Sequence, residues 1–220
     1  MPPEPVRFSA AGEDGPVLEG ELWLPDGDGQ VSGVVVSHPH PLRGGSMESN
    51  VVVAICLGLW STGIGCLRFN FRGVGRSEGQ HGNGVDEVND VLGAMSFLES
   101  QPRIAAGSVG LAGYSFGARV SLATAPLVPD IQALLCVAPP LNEPLAAGSI
   151  PCRYLVIVGD RDGNLSAGVE RYASCLPEPD HLQVVRGTDH FWRGYESVLA
   201  EASRKFFAEH LPATAAEIAP

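Results

Sequence analysis

The chain has 220 residues, 45% of them hydrophobic, and a formal charge of -11 at pH 7. That length fits one domain able to bury most of its apolar surface. The acidic balance, with no Lys/Arg cluster dense enough to follow a phosphate backbone, argues against nucleic acid and anionic membrane as partners.

The chain opens Met1-Pro2-Pro3-Glu4-Pro5, without the basic-then-apolar order of a leader, and no apolar run reaches membrane-spanning length. Residues 1–5 and 212–220 are expected to be loose ends. Val6-Arg7-Phe8 and Val17 to Leu24 read as two strands joined by a Gly/Asp hairpin. Val31 to Ser37 holds Val34-Val35-Val36, a continuous apolar run suited to a strand buried on both faces. A loop, His38-Pro39-His40-Pro41-Leu42-Arg43-Gly44-Gly45, follows it.

A helix is expected from about Met47 to Ser61, with Val51, Ala54, Ile55, Leu57, Gly58 and Leu59 as its buried stripe. Cys66 to Phe71 reads as a strand, and Arg72-Gly73-Val74-Gly75-Arg76-Ser77 as a glycine-rich loop. That loop lacks the Lys-Ser/Thr of a P-loop and the spacing of a dinucleotide fingerprint, so a loop-shaping role is expected. Val85 to Leu98 is an amphipathic helix by spacing, and Ser108 to Ala112 a strand. Phe116 to Thr124 is a helix, and Ile131 to Val137 and Arg153 to Val158 are strands. Leu165 to Cys175 reads as a helix, Leu182 to Val185 as the last strand, and Tyr195 to His210 as the closing helix. Strands and helices thus alternate from Val31 onward. The expectation is an α/β fold, a mostly parallel sheet covered by helices on both faces, in a single domain over 1–220.

Cys56, Cys66, Cys136, Cys152 and Cys175 are an odd number without a C-x-x-C pair. Four sit in or beside apolar runs, where free cysteine acts as a small hydrophobe, so buried thiols are expected in a reduced, cytoplasmic protein. Trp23, Trp60 and Trp192 read as packing residues, with Trp192 near enough to His190 to touch a ligand.

The chemistry centres on Gly113-Tyr114-Ser115-Phe116-Gly117, a G-x-S-x-G string between a strand and a helix. Side chains two residues either side of the serine would collide in so sharp a turn. A serine hydroxyl needs a base, and the base an acid behind it. In this context the chain order is serine, acid, histidine. Gly159-Asp160-Arg161-Asp162-Gly163 follows one strand, and Gly187-Thr188-Asp189-His190 follows the last. His190 is the candidate base, because it alone among six histidines follows both the serine and an acid-bearing loop at a strand end. Asp162 is the candidate acid, with Asp160 as the alternative and Asp189 a poor one. An oxyanion needs backbone N–H donors. Phe116, at the start of its helix, is one candidate. Pro39 and Pro41 have no N–H, which leaves His40 or Leu42 as the second.

Together these motifs resemble the α/β-hydrolase superfamily over nearly the whole chain. The landmarks are His38-Pro39-His40-Pro41, Phe71-Arg72-Gly73-Val74-Gly75-Arg76-Ser77, the Ser115 elbow and Gly187-Thr188-Asp189-His190. The His-Pro-His-Pro segment is similar to that family's oxyanion loop, with proline in place of glycine, and this resemblance favours His40 over Leu42. The chain is most similar to small capless bacterial members near the dienelactone hydrolases and serine-peptidase-like hydrolases. About fifteen residues separate the strands ending near Val137 and starting near Arg153, too few for a lid domain. The resemblance implies a serine hydrolase acting on a small acyl ester or thioester, without metal or cofactor. The alternatives are a peptidase or amidase, or a non-catalytic interaction protein keeping the fold.

Overall fold

The computed structural model describes residues 3–141, 143–146 and 148–212. Its strands form one eight-stranded sheet in the order β1-β2-β4-β3-β5-β6-β7-β8. In chain order these are β1 (Glu4–Ser9), β2 (Val17–Trp23), β3 (Val31–Ser37), β4 (Gly65–Phe69), β5 (Ile104–Tyr114), β6 (Ala133–Val137), β7 (Arg153–Gly159) and β8 (Leu182–Val185). The helices are α1 (Asn50–Trp60), α2 (Glu87–Glu99), α3 (Phe116–Thr124), α4 (Val169–Ala173) and α5 (Glu196–His210). β1 and β2 join antiparallel at one edge, and β2 meets β4 antiparallel. All other pairs are parallel. This is the α/β-hydrolase architecture.

The central strand explains the layering. Every residue of β3 is buried. Val34 and Val36 pack in one core with α1 and α5, through Val51, Ile55, Leu199 and Phe207. Val35 faces the other core with α2 and α3, through Val91, Leu98, Phe116 and Val120. Strand alternation thus sends successive valines to opposite helical layers. Each such side chain contributes about 1.5–3 kcal/mol by leaving water.

Register sets the position of every loop that matters. Ser37 of β3 lies opposite Gly113 of β5, Tyr114 of β5 opposite Val137 of β6, and Val137 opposite Ile157 of β7. Gly159 lies opposite Val185 at the end of β8. β5 ends one residue beyond the level of Ser37, and β7 and β8 end three residues beyond it, so the segments beginning at His38, Ser115, Asp160 and Arg186 leave the sheet along one edge. In parallel sheets this is the edge where ligands bind.

Several expectations needed correction. Glu4 and Pro5 belong to β1, paired with Leu22 and Glu21. Proline is tolerated there because β1 is an edge strand with one unpaired side. Pro212 is also tied, its carbonyl accepting from Ser32 Oγ at 3.0 Å. Residues 1–2 and 213–220 lie outside the described residues. Leu57 and Val85 are exposed, at 47% and 74%. Leu57 falls on the solvent side of α1, and Val85 precedes the start of α2. The helix expected over 165–175 is a 3₁₀ turn (Gly163–Leu165) and the short α4, separated by Gly168 at φ 93°. Trp60 is 38% exposed, whereas Trp192 is fully buried with φ 60° and does not reach the surface. The five cysteines are unpaired thiols, four of them buried. No helix of the described residues is long and apolar enough to cross a membrane.

Candidate active site

Ser115 sits at the junction of β5 and α3 with φ 54° and ψ -112°. A non-glycine residue in that region is strained by roughly 1–3 kcal/mol, and persists only where its surroundings over-determine it. Here they do. The Ser115 N–H donates to Val137 O at 2.8 Å, and its carbonyl accepts the Arg119 N–H at 3.1 Å. The flanking glycines make the turn sterically feasible. A Cβ on Gly113 would lie 2.6 Å from Ala118 N, and one on Gly117 would lie 2.4 Å from Ser37 O and 2.5 Å from His38 O. Those are backbone atoms and cannot rotate away.

His190 follows β8 and turns its ring back over this junction. Its Nε2 lies 3.0 Å from Ser115 Oγ, and its Nδ1 lies 2.8 Å from Asp162 Oδ2. Asp162 can only accept in its ionised form, so Nδ1 carries the hydrogen and Nε2 is left to accept from the serine hydroxyl. The other Asp162 oxygen accepts the Asn164 N–H at 2.8 Å. The Asp162 side chain is 1% exposed and that of His190 30%.

The remaining acids do other work. Asp160 accepts the Gly187 N–H at 2.8 Å, tying the end of β7 to the loop that carries His190. Asp189 accepts the Phe191 N–H at 2.9 Å. Of the three carboxylates considered, Asp162 alone meets the imidazole.

The loop after β3 is wound into a 3₁₀ turn (Pro41–Arg43) capped by His40, whose Nδ1 accepts the Leu42 N–H at 3.3 Å. The Leu42 donor is thereby engaged, and its side chain is 73% exposed. No acceptor for the His40 N–H is found among the described residues. The Phe116 N–H, at the first position of α3, has no intrahelical acceptor. The His40 and Phe116 rings lie 5.0 Å apart beside Ser115.

Residues 33–159 match the serine aminopeptidase S33 family. The chain belongs to this family of α/β serine hydrolases. It is 34% identical over 175 residues to the uncharacterised protein RP471 of Rickettsia prowazekii, covering 72% of this chain and 71% of that one. It is 24% identical over 203 residues to the thiohydrolase aneE of Aspergillus aculeatus, covering 90% of this chain and 60% of that protein, less than two thirds of its length. Among solved structures it is similar to XC6422 of Xanthomonas campestris, an α/β serine hydrolase without a lid. There the identity is 30%, the TM-score 0.76, and 97% of this chain and 98% of that one are covered.

In this hydrolase the serine opens into a cleft of about 710 Å³. Its walls include Pro39, His40 and Gly45 from the loop after β3, Pro140 and Asn164 on the opposite side, and Phe191 beyond His190. Phe191, 60% exposed, takes the position expected of Trp192. The glycine-rich loop after β4 does not line it. Arg72 there is bonded to the buried Asp90 at 2.7 Å, and the Arg76 N–H donates to Glu19 Oε1 at 2.6 Å.

Two cleft residues carried no readable signal as site residues. Tyr114 donates its hydroxyl hydrogen to His190 O at 2.6 Å. Its phenol is pushed up by burial and by the negative charges of Asp162 and Asp189, so it stays a donor. Asn164 donates its side-chain amide to Ala138 O at 3.0 Å, bracing the Asp162 turn. An Asp followed two residues later by the N–H it accepts is an ordinary turn pattern, and this gave no hint of the site. Among the described residues, no three His, Cys, Asp or Glu side chains are grouped to hold a metal ion.

Proposed function

We propose that this chain hydrolyses a small acyl ester or thioester through an acyl-enzyme on Ser115. The observation that carries the reading is the relay Asp162–His190–Ser115, with contacts of 2.8 and 3.0 Å at the ligand edge of the sheet. His190 Nε2 takes the hydroxyl proton as Ser115 Oγ attacks the acyl carbon. The oxyanion is held by the N–H groups of Phe116 and His40. The imidazolium, steadied by Asp162, then protonates the leaving alcohol or thiol as its bond to the acyl carbon breaks. Water enters, gives its proton to His190 and its oxygen to the acyl carbon. The carboxylic acid leaves as Ser115 regains its hydrogen.

Two features favour an ester or thioester over a peptide with a free amino end. The cleft lining contains no Asp or Glu among the described residues to receive an ammonium group. The similarity to a thiohydrolase points the same way. A reducing, cytoplasmic setting belongs to the same proposal, supported by five unpaired thiols.

The test is a panel of short activated esters and thioesters with the wild type and Ser115→Ala, combined with fluorophosphonate labelling. Turnover is expected to fall by roughly 10⁴-fold or more, and the label to be lost. Unchanged turnover in the variant would end the assignment. A wild-type protein that neither turns over the panel nor takes the label would favour a binding protein that has kept the fold.

A further inference from the structure

Lys and Arg total fourteen in this chain against twenty-five Asp and Glu, yet the cleft inverts that balance. Arg43, Arg119 and Arg193 line it, and no carboxylate among the described residues does. The three come from separate segments: the turn after β3, the first turn of α3, and the loop entering α5. Each follows by three or four residues one of His40, Ser115 and His190.

All three are exposed, and among the described residues none is ion-paired, whereas Arg68, Arg72 and Arg204 are. The nearby acids are engaged elsewhere. Asp162 holds His190, Asp189 accepts the Phe191 N–H, and Glu196 accepts from Asn50 Nδ2 at 3.0 Å. Glu87 is fully buried and accepts the N–H groups of Gly82 and Gly84 at 2.8 and 2.7 Å. Arg119 is held in place, with its guanidinium 5.3 Å over the Phe116 ring and Nη2 donating to Asn83 O at 3.0 Å. The field is felt locally. The His40 imidazole is pushed down by burial first, then by His81, Arg43 and Arg119.

Like charges gathered without counter-ions repel one another, so such a cluster in an acidic protein selects for an anion in the cleft. We propose that the substrate carries a carboxylate or phosphate held by Arg43, Arg119 and Arg193 while its acyl carbon lies at Ser115. Guanidinium groups suit this, because their planar donors meet carboxylate or phosphate oxygens in pairs. The proposal rests on the hydrolase reading above and names its substrate class.

The test compares two matched pairs, each rate being divided by that ester's spontaneous hydrolysis. One pair is mono-p-nitrophenyl suberate against p-nitrophenyl octanoate, which puts the charge on the acyl side, on a chain too long for the carboxylate to attack its own ester. The other is acetyl-coenzyme A against S-acetyl-N-acetylcysteamine, which puts phosphates on the leaving side. The anionic member of at least one pair is expected to gain about tenfold in kcat/KM at low salt, a gain that shrinks at high salt. The responding pair identifies the side. The gain should vanish in a triple Arg43→Gln, Arg119→Gln, Arg193→Gln variant and return in the triple Lys variant. Calorimetric binding of the same compounds to Ser115→Ala separates this proposal from the hydrolase reading. A binding preference for the anion that needs the arginines upholds the anion site even if no compound is turned over. No anionic preference in rate or binding, or a preference that survives the triple Gln variant, overturns it.

Discussion

The Tyr114 hydroxyl donates to the carbonyl oxygen of His190 at 2.6 Å, so the residue preceding the serine fixes the backbone of the histidine 76 positions later. The relay spans three loops, and this bond ties two of them together directly. Tyr114→Phe keeps the ring and removes the donor, leaving a part-buried carbonyl without its partner. Loss of about 1 kcal/mol of stability is expected. If the histidine loop loosens by a comparable amount, kcat falls about fivefold while KM holds. Steady-state kinetics with a short ester, beside urea denaturation, measures both. An unchanged kcat would show that the bond is structural only.

The elbow tolerates no side chain at Gly117. Gly117→Ala drives a Cβ onto Ser37 O at the end of β3 and His38 O in the loop that also carries His40. Relief requires moving either α3 or that loop, and both hold parts of the site. A loss above about 3 kcal/mol, with fluorophosphonate labelling abolished, is expected. Gly163→Ala is the control, because nothing lies within 4 Å of its added carbon. Its melting temperature should shift by less than a few degrees.

The legible parts of this chain were those with strong local causes. β3, α3 and β8 were readable to within a residue, because their apolar runs end at prolines, glycines or the elbow itself. The convergence of Ser115, Asp162 and His190 was readable from chain order, since each follows a strand and parallel strands deliver such loops to one edge. What failed had tertiary causes. Leu57 has helical spacing, but α5 covers only one side of α1, and nothing in the local sequence says which leucine lies beyond it. Trp192 and Phe191 are adjacent aromatics, and the backbone turn at φ 60° sends the first inward and the second outward. The arginines around the cleft were invisible because they line one cleft only once the chain is folded.

Whether His40 acts through its backbone can be separated from its side chain. Its φ is -54°, within reach of proline. His40→Ala keeps the N–H and removes the ring and the Leu42 cap, whereas His40→Pro removes the N–H as well. If this N–H holds the oxyanion, the proline variant should lose a further 10²- to 10³-fold in kcat, about the effect of deleting one such donor. The comparison needs only ester kinetics and a circular dichroism check of folding. Equal losses in the two variants would remove His40 as a donor and leave the hole to other groups.

His38, two residues earlier, sets a limit on acid stability. It is fully buried, its Nε2 accepts the Phe71 N–H at 3.0 Å, and its Nδ1 lies 2.6 Å from Pro39 O. That pairing needs the neutral ring with hydrogen on Nδ1, since a proton on Nε2 would set two donors face to face. Burial lowers its pKa to about 4, more than the Pro39 carbonyl and Glu87 raise it. The unfolded chain takes up this proton near pH 6.5, so it binds more protons than the native state between about pH 6.5 and 4. Stability is therefore full above pH 6.5 and falls as pH drops through that window, by about 3 kcal/mol on this group alone. Asp90 acts in the opposite sense, because burial raises its carboxyl despite Arg72. A difference measurement isolates His38. His38→Gln keeps an acceptor for Phe71 but cannot titrate, so urea midpoints taken from pH 7 to 4 should fall less steeply than in the wild type. Parallel curves would mean that His38 takes up its proton at the same pH in the fold as in the unfolded chain.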